Sequence, residues 1–151
     1  MRLHSSIALE RMVSRSMQHE SKTDYLESAE SDLNLACASL EMADQFESRG
    51  VPFPVTSVGY LAALSVEKKL KATLLELNGE VSKTHDLKRL FWDLPEGMQT
   101  DELRFNLEQL QPYIVEYRYR SARVLDLSVE AVEEIIEVAK QCHELVNLYI
   151  E

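Results

Sequence analysis

Breakers are scarce in this chain: four glycines and four prolines in 151 residues. So few argue for long helices and against a many-turned β protein. Two cysteines, Cys37 and Cys142, stand far apart without metal-type spacing. That reads as a pair of reduced core thiols in a cytoplasmic protein, and not as a disulfide framework. No apolar run approaches the ~20 residues of a membrane span. The N-terminal "MRLHSSIALERMVSRSM" has no clean apolar core or small-residue cleavage site, so no signal peptide is expected. Basic residues are the minority, 16 against 26 acidic, for a net charge of -10. That disfavours a general nucleic-acid coat, because phosphate contacts draw on clustered Lys and Arg. It leaves room for a local basic site.

Common catalytic signatures are missing too. There is no His-Glu-x-x-His, no Walker loop, no GxGxxG, no Cys-x-x-Cys and no GxSxG. The Glu-x-x-His pairs of a di-iron bundle are also absent, since Ser16, Ser82 and Lys140 stand three before His19, His85 and His143. No metal site and no cofactor is expected.

What is present is helical periodicity. At this length one domain is expected, with a core large enough to fold alone. Residues 1–23 mix small, polar and charged side chains and read as an N-terminal appendage, helical in part. Residues 24–151 read as the bundle. A first helix over 24–48 puts Leu33, Ala36, Cys37, Leu40 and Ala43 on one side, with Gly50 as its stop. "VPFPVTS" is a loop, and Thr56 or Ser57 is the expected cap of a helix over 58–78 that Gly79 ends. Its first half, "VGYLAALSV", is charge-free, and Leu61, Leu64, Leu70, Leu74 and Leu77 widen its apolar surface. A helix this apolar belongs in the middle of the fold. Glu67, Lys68, Lys69 and Lys71 interrupt it. They are either a buried polar network or ligand site, or the place where the helix leaves the core, with lysine stems snorkelling outward.

Thr84 is the expected cap of a short helix over 86–92, with Leu87, Leu90 and Phe91 facing inward. Residues 100–123 read as helical with a break, or a second start, at Pro112. The last helix begins at Ser128. Its inward stripe is Val132, Ile135, Ile136, Ala139, Cys142, Val146 and Tyr149. No alternating strand-length run competes. The expected fold is all-α: an antiparallel up-and-down four-helix bundle with a short extra helix in the middle connection.

Three groups invite chemistry. His85, in "THDL", reads either as a general acid/base or as a helix-start residue, and the second is preferred because helix-start chemistry surrounds it. Tyr113, Tyr117, Arg118, Tyr119, Arg120 and Arg123 interleave aromatics with arginine. Such a cluster stacks bases and holds phosphate, or forms a protein interface. A dimer or partner interface is preferred, because the acidic faces around it repel phosphate. Lys83, Lys88 and Arg89 extend the basic patch if packing brings them near. His143, beside Cys142, reads as a partly buried structural histidine.

The order of "YLAALSVEKKLKATLLELNGE", "KTHDLKRLF" and "YIVEYRYRSARV" before a final amphipathic helix resembles the HEPN domain family (higher eukaryotes and prokaryotes nucleotide-binding) over roughly residues 28–150. The resemblance implies a helical bundle that commonly dimerises. It also implies prokaryotic toxin–antitoxin and antiphage settings, often beside a minimal nucleotidyltransferase. Active members are metal-independent RNases with an arginine and a histidine that have four to six residues between them. This chain departs from that pattern: Arg11 and Arg15 precede His19 with seven and three residues between, and no histidine follows Arg118, Arg120 or Arg123 at that distance. No catalytic pair carries over. The preferred expectation is a non-catalytic homodimeric interaction or nucleotide/RNA-associated module in a stress, toxin–antitoxin or phage-defence system. One alternative is an atypical RNase in which Arg118, Arg120 or Arg123 holds phosphate and His85 or a tyrosine assists. Another is a nucleotide- or small-ligand-binding partner of a nucleotidyltransferase. Glu67 and Lys68 join the Tyr/Arg cluster as ligand or partner candidates.

Overall fold

The computed structural model describes the backbone of residues 2–119 and 128–150 and the side chains of residues 22–114 and 128–150. Every regular element among these is helical, as the periodicity predicts. In chain order they are α1 (Arg2–Glu41), α2 (Ala43–Ser48), α3 (Val55–Asn78), α4 (Leu87–Asp93), α5 (Asp101–Tyr119) and α6 (Val129–Ile150), with a 3-10 turn at Glu96–Met98 between α4 and α5.

The long apolar helix, α3, is the hub. It packs against α1, α5 and α6, and also against α4. The core it organises includes Val58, Ala62, Val66, Leu70 and Leu74 from α3, Leu103, Leu107, Leu110 and Ile114 from α5, and Val132, Ile136, Ala139, Cys142 and Val146 from α6. The expected inward stripe of the last helix is thus buried, save Tyr149, which is exposed. Leu77, assigned to the apolar surface of α3, is exposed as well, in the last turn before the stop. Gly79 is that stop: its φ of 75° is left-handed, where a glycine has no Cβ to clash, and its N–H donates to Leu75 O.

Several boundaries differ from the sequence expectation. The first helix starts before residue 24, because α1 runs unbroken from Arg2. It ends earlier than expected, at Glu41, and residues 43–48 form the separate α2. Met42 closes the previous turn with an i–3 bond to Ser39 O, which tightens the helix and ends it. α3 starts at Val55 rather than 58, with Pro54 and not Thr56 or Ser57 at its cap. Val58 N–H donates to Pro54 O, so the helix begins directly on the proline.

The expected break at Pro112 is not present: Pro112 lies inside α5. A proline there loses one backbone bond and crowds the preceding turn. Leu110, Tyr113 and Ile114, all buried around it, hold the helix through the defect. α4 is Leu87–Asp93, and its cap is Asp86, whose carboxylate accepts from Lys88 N–H at 3.0 Å. Thr84 acts one step earlier, with Oγ1 accepting from Asp86 N–H. The capping chemistry is as read, moved by two residues.

Candidate functional site

Halfway along α3 the apolar pattern gives way to charge, and the structure chooses between the two readings of that change. The helix does not leave the core. Ser65, Glu67, Lys71 and Thr73 are all buried. They belong to a polar belt in which neighbouring positions reach different parts of the fold, because successive residues on a helix point about 100° apart.

Glu67 reaches the loop before α4. Its carboxylate, 3% exposed, accepts from His85 Nδ1 at 3.0 and 3.1 Å and lies 3.3 Å from the Lys71 ammonium one turn on. A carboxylate only accepts here, so the ring donates from Nδ1. Lys68 reaches α1, where it donates to Asp32 Oδ2 and Ser28 Oγ, both at 2.6 Å. Ser65 reaches α6. Its hydroxyl donates to Ala62 O at 2.7 Å, leaving Oγ to accept from His143 Nε2 at 3.1 Å.

The two described histidines therefore sit in opposite surroundings. Burial, helped by the charge of Lys69, pushes His143 down to about 4, so it is neutral at physiological pH. It is the structural histidine expected. His85 stands at the surface with its side chain 44% exposed. Its Nδ1 is turned onto the buried Glu67 carboxylate, which leaves Nε2 as the ring nitrogen outside that contact. Gln111 of α5 secures the same turn from the other side: Oε1 accepts from Leu87 N–H at 2.6 Å and Nε2 donates to His85 O at 3.2 Å.

Both cysteines are free, as expected. Burial, with a smaller contribution from Glu102, pushes the Cys142 thiol up to about 12, so it packs as an apolar group and is no nucleophile. Among the described residues no cluster of His, Cys, Asp and Glu fits a metal ion, and no helix is long and apolar enough to cross a membrane.

The Tyr/Arg cluster needs one correction. Tyr113 is not on an outward strip. It is 6% exposed and packs on α3 where Gly59 leaves space: a Cβ built on Gly59 would stand 2.5 Å from the ring's Cδ1. Position 113 falls on the inward side of α5 with Leu110 and Ile114, so its ring fills core volume. Tyr117, Arg118 and Tyr119 lie in the last turn of α5, and their side chains are outside the described residues, as are Arg120 and Arg123 altogether.

The pairing of Glu67 with His85 was not read from the sequence. The only signal for it was an acidic residue in an apolar helix, followed 18 positions later by a histidine beside a cap. Gln111 gave no signal at all, because a glutamine beside a proline has no distinguishing pattern.

A chain solved as TT1696 from Thermus thermophilus has the same fold: TM-score 0.66 at 24% identity, covering 83% of this chain and 95% of that one. No curated protein matches the chain. The family model of the HEPN domain matches residues 23–149, which takes in all of α3 to α5, nearly all of α6 and the whole polar belt. The chain belongs to the HEPN domain family.

Proposed function

We propose that this is a non-catalytic HEPN module that associates with nucleotides or RNA and works as a homodimer, its four long helices forming an antiparallel up-and-down bundle. One observation carries the non-catalytic reading. The chain has the HEPN domain but no arginine followed by a histidine with four to six residues between them. RNA cleavage without a metal needs a group that moves a proton near neutral pH and a group that holds phosphate charge. His143 is kept neutral and bonded to Ser65, so it does not supply the first. Family analogy supports a prokaryotic stress, toxin–antitoxin or phage-defence setting, a cytoplasmic location, and a minimal nucleotidyltransferase or an antitoxin as partner. Tyr117, Arg118, Tyr119, Arg120 and Arg123 are the proposed partner surface, now without Tyr113.

A second reading has one observation in its favour. Glu67 accepts from Nδ1 of the half-exposed His85, which leaves Nε2 as the nitrogen a general base would use. In that reading His85 or a tyrosine moves the proton while Arg118, Arg120 or Arg123 holds phosphate. Incubating the full chain with mixed RNA, and measuring its mass in solution, tests both. No cleavage together with a dimer mass is expected. Cleavage that is lost in Arg120→Ala and in His85→Gln, with melting curves unchanged, replaces the first reading by the second. A monomer at all concentrations removes the homodimer.

A further inference from the structure

All seven lysines of this chain fall among the residues with described side chains. Four are in ion pairs: Lys22 with Glu76, Lys68 with Asp32, Lys71 with Glu67, and Lys140 with Glu137. Lys69 is engaged too. In a chain with net charge -10, acidic partners abound. Yet Lys83 and Lys88 have no side-chain partner among the described residues, and both are exposed. These two flank His85, in "KTHDLK".

The backbone keeps the three side chains together. Lys83 is two residues from His85 and Lys88 three, so their Cα atoms lie within about 7 and 11 Å of its Cα even if the chain were fully extended. Lysine stems cover such distances easily. The turn itself is fixed from three sides. Glu67 holds the His85 ring, Gln111 holds the His85 carbonyl and the Leu87 N–H, and Asp86 holds the Lys88 N–H. These backbone donors at the start of α4 are thus occupied, and it is the side chains that remain to meet a ligand. An open groove of about 530 Å³ is lined by Leu74, Asn78, Glu80, Ser82, Arg89 and Asp93, among others. Ser82 adjoins Lys83 in sequence and Arg89 adjoins Lys88. Within the groove Arg89 is spoken for by Asp93, at 3.8 Å.

We propose that Lys83, Lys88 and the Nε2 edge of His85 form a phosphate-binding site, with the groove taking the nucleoside part of the ligand. Two ammonium groups supply charge without giving up an existing ion pair. The imidazole supplies a directed contact whose orientation is fixed before the ligand arrives, which lowers the ordering cost of binding. A groove of this size lies in the range of small-ligand sites. Its lining includes the Asn78 amide and the Ser82 hydroxyl, which reach Asp93 at 3.5 and 3.4 Å, and the Glu80 carboxylate, groups that can hydrogen-bond a ribose or a base edge. The proposal rests on the nucleotide or RNA association put forward above and gives it an address, apart from the Tyr/Arg segment.

The test uses the full chain and three probes: inorganic phosphate, AMP, and a single-stranded uridine 20-mer. Affinities are measured for wild type, the Lys83→Ala/Lys88→Ala double variant and His85→Gln, with melting curves to confirm folding. The lysines are exposed, so the double variant is expected to fold normally. It should bind AMP about tenfold more weakly, and the loss should shrink as salt rises. His85→Gln should weaken AMP severalfold. For the 20-mer, the slope of log affinity against log salt should fall by roughly 0.7 for each phosphate that the variant no longer engages. If AMP saturates and phosphate competes with it, the ligand is a mononucleotide. If only the 20-mer binds, the ligand is an RNA backbone. Unchanged affinity and salt slope in the double variant would overturn this site while leaving nucleotide association intact. Phosphate binding alone, abolished in the double variant, would support the site and remove the nucleotide reading. No binding of any probe to wild type would remove both.

Discussion

In the first half of α3, Val58, Gly59, Ala62, Ala63, Ser65 and Val66 are buried; in the second half, Leu70, Ala72 and Leu74 are joined by Glu67, Lys71 and Thr73. Both halves face neighbours on several sides. The first uses small and apolar residues, and the ring of Tyr113 comes close enough to occupy the place of a missing Cβ. The second adds paired charge to its apolar residues. Apolar burial is tolerant of which neighbour it meets, since the hydrophobic effect has no direction. A buried carboxylate tolerates only a partner that neutralises it. The first half therefore sets how closely the helices approach, and the second sets which side chains of which segments must meet. Around the join these are His85 of the loop before α4, Asp32 of α1 and His143 of α6.

The largest effect is expected from breaking the paired half. Lys71→Met leaves the buried Glu67 carboxylate to the half-exposed His85 alone, among the described residues. The loss should be about 3 kcal/mol, the usual scale for an orphaned buried charge. In a domain of this size that lowers Tm by roughly 6–12 °C. Adding Glu67→Leu should recover most of it, because the second half would then resemble the first. A Lys71→Met variant as stable as wild type, by denaturant melts, would mean the charge pairing does not hold this half.

Gly59→Ala is the matching test of the apolar half. The new methyl would meet Tyr113 Cδ1 at 2.5 Å and Cε1 at 2.7 Å, and both belong to a buried ring with little room to retreat. Overpacking of this kind costs about 1–3 kcal/mol, partly offset by the better helix propensity of alanine, about 1 kcal/mol. Combining Gly59→Ala with Tyr113→Leu should cost less than the two changes summed, because the smaller side chain vacates the contested space. Strict additivity would show that the close approach is not what Gly59 provides.

The two halves also differ in how far the sequence revealed them. Helical periodicity placed the inward residues of α6, and Leu70 and Leu74 of α3, because a 3.6-residue repeat needs no knowledge of the neighbour. The Gly79 stop was legible for the same reason, being a local requirement on φ. The charged half announced itself only as an interruption. Whether Glu67 is buried depends on His85 and Lys71 arriving together, and that is a property of the packed fold. Tyr113 illustrates the opposite error. Its spacing with Tyr117 and Arg120 grouped it with polar neighbours, whereas Gly59, far away in the chain, made room for it in the core.

The Ser65–His143 contact lies where the halves join and predicts a pH dependence. Folding lowers the His143 pKa from 6.5 to about 4, so between those values the unfolded chain holds a proton that the folded chain does not. Stability from this group is complete above pH ~6.5 and is lost as pH falls toward 4. After discounting for partial exposure, the loss is about 2 kcal/mol. His143→Gln should flatten that part of the stability–pH curve in urea melts at pH 7.5, 6 and 5. A curve of unchanged slope in the variant would assign the acid sensitivity to other groups.

The smallest effect serves as the control. Lys140 and Glu137 on α6 have the same charges as Lys71 and Glu67 and the same 3.3 Å separation, but their side chains are 44% and 61% exposed against 7% and 3%. Lys140→Met removes the same positive charge from the same acidic protein, so any general effect of net charge is common to both variants. What differs is water. Solvent screens the exposed pair and rehydrates Glu137 when its partner is gone, so the cost should stay within about 0.5 kcal/mol. If Lys140→Met proved as damaging as Lys71→Met in parallel melts, net charge would be the governing quantity and burial would not. If it proves silent, the penalty at Lys71 belongs to the desolvated carboxylate behind His85.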